Sequence, residues 1–135
     1  ALADFRVFVI TPEPSSMTDG YSLFKLISEH YGCSNNLLVV NRYQDESQWK
    51  KVQNVMQDTA KKYAKDAFYF VGAIPEVSIN HTDFDRYFLE TADNSITQSF
   101  NKIKVNIDDI VSISRWESLR SQEEEIDSNK NFAFD

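Results

Sequence analysis

Three short apolar runs separated by two amphipathic stretches set the pattern of the first half of the chain. Phe5-Arg6-Val7-Phe8-Val9-Ile10 is nearly continuous and rich in β-branched and aromatic side chains, which is how a strand covered on both faces reads. It stops at Thr11-Pro12-Glu13-Pro14, where two prolines cannot donate to a ladder. Ser15 or Ser16 is placed to cap a helix whose stripe is Met17, Tyr21, Phe24, Ile27 and Tyr31, at spacings of four, three, three and four. Gly32 supplies its stop. Leu37-Leu38-Val39-Val40 reads as a second buried strand ending at Asn41-Arg42. A second helix is expected from about Glu46, with Trp49, Val52, Met56, Thr59 or Ala60, and Tyr63 on one face and lysines and amides on the other. Phe68 to Ile74 is the third strand, stopped by Pro75.

Strand, helix, strand, helix, strand at these intervals predicts two βαβ units, and such crossovers make the strands parallel. The fold class expected is therefore α/β, a parallel sheet in βαβαβ order followed by C-terminal helices. Beyond Pro75 the periodicity weakens. Phe84, Tyr87 and Phe88 indicate a short helix or turn after Asp83, and Ile103, Ile107, Ile110 and Val111 a further helix, extending toward Leu119 through Trp116. From Ser121 the run to Asn131 is polar and reads as solvated or disordered. The expected division is one α/β domain over 1–116 and an acidic, flexible tail over 117–135.

Composition changes this picture in two respects. The net charge of −7 argues against a nucleic-acid backbone as the main partner. The charge is uneven, with six acids against two bases from Glu117 to the end. One cysteine, Cys33, cannot form an internal disulfide, and no apolar run is long enough to span a bilayer. A cytoplasmic setting is the corresponding expectation. The strand signal begins almost at once and no Met precedes it, so the chain is expected to be a piece of something longer.

In an open parallel sheet, ligands bind at the carboxyl ends of the strands. Here those ends carry Thr11-Pro12-Glu13-Pro14, Asn41-Arg42 and Ile74-Pro75-Glu76, and topology puts all three on one edge. Asn41 is the sharpest candidate, because a side-chain amide offers a donor and an acceptor side by side, matching one edge of an adenine ring. The competing reading of Asn41 is a turn former tying down its own loop. Arg42 could face a phosphate or a carboxylate, and Glu13 is held between prolines. Catalytic machinery is not visible. The chain has no glycine-rich phosphate loop and no G-x-S-x-G elbow, and neither His30 nor His81 has a partner at metal-ligand spacing. Whether it belongs to an enzyme is left open by its residues.

The stretch from Val9 to Lys25, Val-Ile-Thr-Pro-Glu-Pro-Ser-Ser-Met-Thr-Asp-Gly-Tyr-Ser-Leu-Phe-Lys, closely resembles the V-T-P-E-P-T-x-x-T-D-A-Y-x-L-x-K segment of FlhG/FleN-type MinD-like ATPases. Leu38-Val39-Val40-Asn41-Arg42 is similar to the V-V-N-R that follows in that family, and Phe70 to Glu76 to its Y-L-G-x-I-P-x-D segment. The resemblance spans about residues 5–80 in the same order, with fainter similarity to about residue 110. It implies the C-terminal half of a MinD/ParA-type P-loop ATPase, part of a three-layer P-loop NTPase-like fold that binds ATP with Mg, dimerises around it and acts as a spatial switch.

On that resemblance Asn41 and Arg42 would meet the adenine, with Pro75, Glu76 and Val77 walling the base. Pro12 and Glu13 would lie near a dimer or partner surface. Phosphate and Mg chemistry would belong to an upstream half, so nucleotide binding is expected only with that half, supplied in the same polypeptide or by a partner. Protein partners, including a second copy, are expected. Val77 stands where the family often has Asp, which puts the base pocket's detail in question. The acidic end replaces the family's basic membrane-binding helix and argues against membrane attachment there.

Two rival readings stand beside this one. The chain could be a stand-alone protein-interaction module that kept the α/β fold without ATPase activity. It could also be an unrelated flavodoxin-like or receiver-like domain, although Glu13 and Glu76 match receiver acids poorly.

Overall fold

A computed structural model describes residues 5–31, 35–63, 68–78, 83, 86 and 94–132, with the side chains of 63, 131 and 132 left aside. Strand β1 is Phe5–Ile10, helix α1 Pro14–Tyr31, strand β2 Asn35–Tyr43, helix α2 Glu46–Tyr63, strand β3 Phe68–Pro75 and helix α3 Ser95–Phe132. The chain is an α/β protein. Its three strands form one parallel sheet in the order β1-β2-β3, with Val7 opposite Leu37 and Leu37 opposite Tyr69. Two compact units are present, residues 1–103 and 104–135.

Strands joined in sequence order by crossovers of one hand carry both connecting helices on the same sheet face. The core bears this out. Phe8 and Ile10 from β1, Leu38 and Val40 from β2 and Phe68 from β3 pack with Phe24 of α1 and with Val52, Met56 and Ala60 of α2. Its centre is aromatic. The ring of Phe24 lies 4.4 Å from that of Phe68, and Phe8 meets both edge-on at 5.9 and 5.3 Å. Such pairs add about 0.5–1.5 kcal/mol each beyond the area they bury. On the same face Trp49 stacks flat on Phe70 at 5.1 Å.

The opposite face is covered unevenly. Leu37, Val39 and Val71 are buried, and the start of α3 contributes buried Ile96 and Ile103. Gly72 explains the close approach. A Cβ there would lie 2.5 Å from Cγ1 of Ile103, so only a bare Cα fits beneath that side chain. Val7 and Val9 of β1, by contrast, are more than half exposed. Burial of both faces, expected for all three strands, holds for β2 and not for β1, because the third layer does not reach that edge.

The helix starts differ in detail from the sequence reading. Pro14 takes the first position of α1, where a missing N–H costs nothing. The hydroxyl of Ser16 accepts a bond from the Thr11 N–H, so it ties the preceding loop instead of capping. Asp45 caps α2 by accepting from the Ser47 N–H, and Asn94 caps α3 by accepting from the Thr97 N–H. In the predicted α1 stripe Phe24 is buried and Met17, Tyr21 and Ile27 pack on the core, while Tyr31 is exposed. Gly32, Cys33 and the segment around Phe84, Tyr87 and Phe88 lie outside the described residues. The stretch read as a polar tail continues the helix to Phe132, and every described side chain from Arg115 to Lys130 is exposed.

Candidate functional site at the carboxyl edge of the sheet

Strand β2 runs past its apolar stretch because of one irregular residue. Asn41 pairs with Ile74 and Tyr43 with Pro75, which leaves Arg42 as the extra residue of a bulge. Arg42 has φ 61°, a left-handed conformation that costs a side-chain-bearing residue about 1–2 kcal/mol. Bulges of this kind re-aim side chains and are common beside functional sites. Here the Arg42 guanidinium is turned onto Glu76, with Nη2 donating to Oε1 at 3.0 Å. The Gln44 amide donates to the other carboxylate oxygen at 2.9 Å, and the Glu76 N–H donates to the Tyr43 carbonyl at 2.8 Å. The Gln44 and Arg42 bonds hold the Glu76 carboxyl below its ordinary pKa, Gln44 first.

A second set of bonds links this clamp to α2. The Gln44 N–H donates to Oε1 of Gln48 at 2.7 Å, while Asp45 accepts from both the backbone and the hydroxyl of Ser47. The Ser47 hydroxyl is the main cause of the lowered Asp45 pKa. An opening of about 620 Å³ is lined by Gln44, Glu76, Val77 and Ser78.

The residues singled out from the sequence fall into three places. Arg42 and Glu76 are in direct contact, with Pro75 and Val77 on either side of Glu76. Asn41 lies half-buried one residue before the bulge, and among the described residues its amide makes no hydrogen bond. Pro12 lines a separate groove of about 550 Å³ between α1 and α2, together with Pro14, Met17, Tyr21, Val52, Val55 and Met56. Glu13 is exposed and lines neither opening. Gln48 belongs to that groove and also holds Gln44.

Gln44 and Ser78 were not anticipated. For Gln44 a signal existed, since Asp45 and Gln48 stand at capping-box spacing and fix the residue before them. Ser78 carried none. The imidazole of His30 bonds the Leu26 carbonyl at 2.9 Å. Among the described residues no group of His, Cys, Asp and Glu could hold a metal ion, and no helix is long and apolar enough to cross a membrane. No family model matches the chain, and no curated protein matches it in sequence.

Proposed function

We propose that this chain is the C-terminal portion of a MinD/FlhG-like, ATP-dependent spatial regulator that works in the cytoplasm and supplies the adenine pocket and a partner surface. The observation that carries the reading is the uncommitted amide of Asn41 at a strand end, beside a rigid clamp of Arg42, Gln44 and Glu76. A half-buried amide can pair with the donor and acceptor on one edge of adenine, and Asn41 itself lines neither opening. The backbone after Pro75 and the side chain of Val77 supply a wall for the base. Phosphate and Mg contacts are assigned to an upstream half, as the resemblance implies, since Arg42 at this edge is engaged with Glu76. That half, or a second copy completing a homodimer, is the partner this reading requires.

The test is an ATP titration of this chain joined to its phosphate-binding half. Asn41→Ala is expected to weaken ATP binding about tenfold, the loss of a paired half-buried amide. Unchanged affinity in that variant would sink the reading.

The groove between α1 and α2 favours the second reading, a protein-interaction module. It is apolar and open, and Pro12 stands at it. A Val55→Glu variant that lost a protein partner while leaving the nucleotide titration unchanged would support that reading.

A further inference from the structure

The groove between α1 and α2 is apolar along most of its length and polar at one end. Buried Val52 and Met56 and partly buried Met17 supply apolar wall. Val55 adds an aliphatic side chain that is 40% exposed. An opening of about 550 Å³ lined in this way has the size and character of a small-molecule site, apolar with a few placed polar groups.

Those polar groups are of one kind. The hydroxyls of Thr18 and Thr59 donate to carbonyls of their own helices, those of Pro14 and Val55. Oε1 of Gln48 accepts from the Gln44 N–H, and the amide's own N–H groups donate to no described residue. Lys51 makes no ion pair among the described residues. Gln48 and Lys51 stand three apart on α2, the spacing of neighbours on a helix surface. No acid lines the groove among the described residues, so its one charge is positive, in a chain of net charge −7. The two free donors thus sit together in the first two turns of α2. From Lys51 the wall continues to Thr59, about 12 Å along the helix.

We propose that this groove binds a free amphiphilic carboxylate, an acid with one aliphatic or aromatic body. Its carboxylate is received by Lys51 and Gln48, and its body lies along Val52, Val55 and Met56 toward Thr59. An ionised carboxylate only accepts hydrogen bonds, which matches two adjacent donors, and the ammonium adds charge assistance. A cationic ligand would find no counter-charge in the groove, and a neutral apolar one would gain nothing from the ammonium. Met17 and Met56 have unbranched, adaptable side chains, so the groove selects a class of acid more than one shape. A bilayer surface is a poor occupant, because it needs a projecting face and this wall is concave.

Neither nucleotide nor a protein partner enters this binding, so its failure would leave both readings above untouched. The experiment is a titration of the full chain with decanoate, kept below the concentration at which it forms micelles, followed by amide NMR shifts. Met17, Lys51, Val55 and Met56 are expected to shift together and to saturate. Decanol carries the tail without the charge, and acetate the charge without the tail. Each is expected to bind about tenfold or more weakly than decanoate, having lost one half of the match. Lys51→Met keeps an apolar stem and removes the ammonium. It is expected to weaken decanoate severalfold and to leave decanol unchanged, while Lys51→Arg retains decanoate binding. Lys51 is exposed, so these variants are expected to fold, and an unchanged amide spectrum of the free protein checks it. The proposal is overturned by the absence of a saturable shift at those four residues, by decanol binding as tightly as decanoate, or by indifference to Lys51→Met. Shifts produced by phosphatidylglycerol vesicles and not by free decanoate overturn it in favour of a membrane surface.

Discussion

Arg42 and Glu76 are separated by most of a βαβ unit in sequence, yet one left-handed residue brings them together. Both side chains are substantially exposed, so their ion pair contributes little stability. Its consequence is positional, because it fixes the segment after β3 against the end of β2. The lowered pKa of Glu76 gives a pH signature. Its carboxylate is bonded in the folded state, so the associated stabilisation is present above the unfolded carboxyl's pKa. It is lost as pH falls through the lower, folded value. A carboxyl-carbon NMR titration is expected to place the Glu76 midpoint below the ordinary value of about 4.3. Gln44→Ala is expected to raise it, since the Gln44 bond is the leading cause. An unmoved midpoint in that variant would falsify the assignment. Asn36 is the other residue of note. It is fully buried, and neither polar atom of its side chain has a hydrogen-bond partner.

At the scale of elements, β3 and the start of α3 meet where a glycine permits it. Gly72→Ala would force its new methyl onto a β-branched side chain, which has little freedom to retreat. Overpacking of this kind costs about 1–3 kcal/mol, and a lower urea midpoint with an unchanged slope is the expected result. Little of this was legible in advance. The sequence shows a glycine inside a strand pattern, which signals close approach by something, and nothing in it names Ile103. The amphipathic helices were legible because buried side chains recur at helical spacing, as Phe24, Val52, Met56 and Ala60 do. Their cap residues were harder to place. Ser15 and Ser16 have the right chemistry for a cap, yet Pro14 had already begun the helix.

For the whole molecule, the sheet is buried on one face and half-covered on the other. Val7 and Val9 lie on the open part of that second face. Replacing both by threonine is expected to change stability by about 0.5 kcal/mol or less, as at other exposed positions. Thermal or urea unfolding of the double variant measures this, and a larger loss would mean that another surface covers β1. An open edge strand also invites pairing with other chains, so aggregation is worth following in the same experiment.

The sequence by itself determined the α/β class, the strand order in the chain and the helix faces, since those follow from local periodicity. It also placed Asn41, Arg42, Pro75, Glu76 and Val77 at one edge, because parallel crossovers leave no other arrangement. Only the tertiary structure decided which of them touch. The bulge at Arg42, the capture of Glu76 by Gln44 and the separate groove at Pro12 depend on register and on contacts between residues far apart in sequence. The uncovered face of β1 was likewise invisible, because an apolar strand reads the same whether or not a layer covers it.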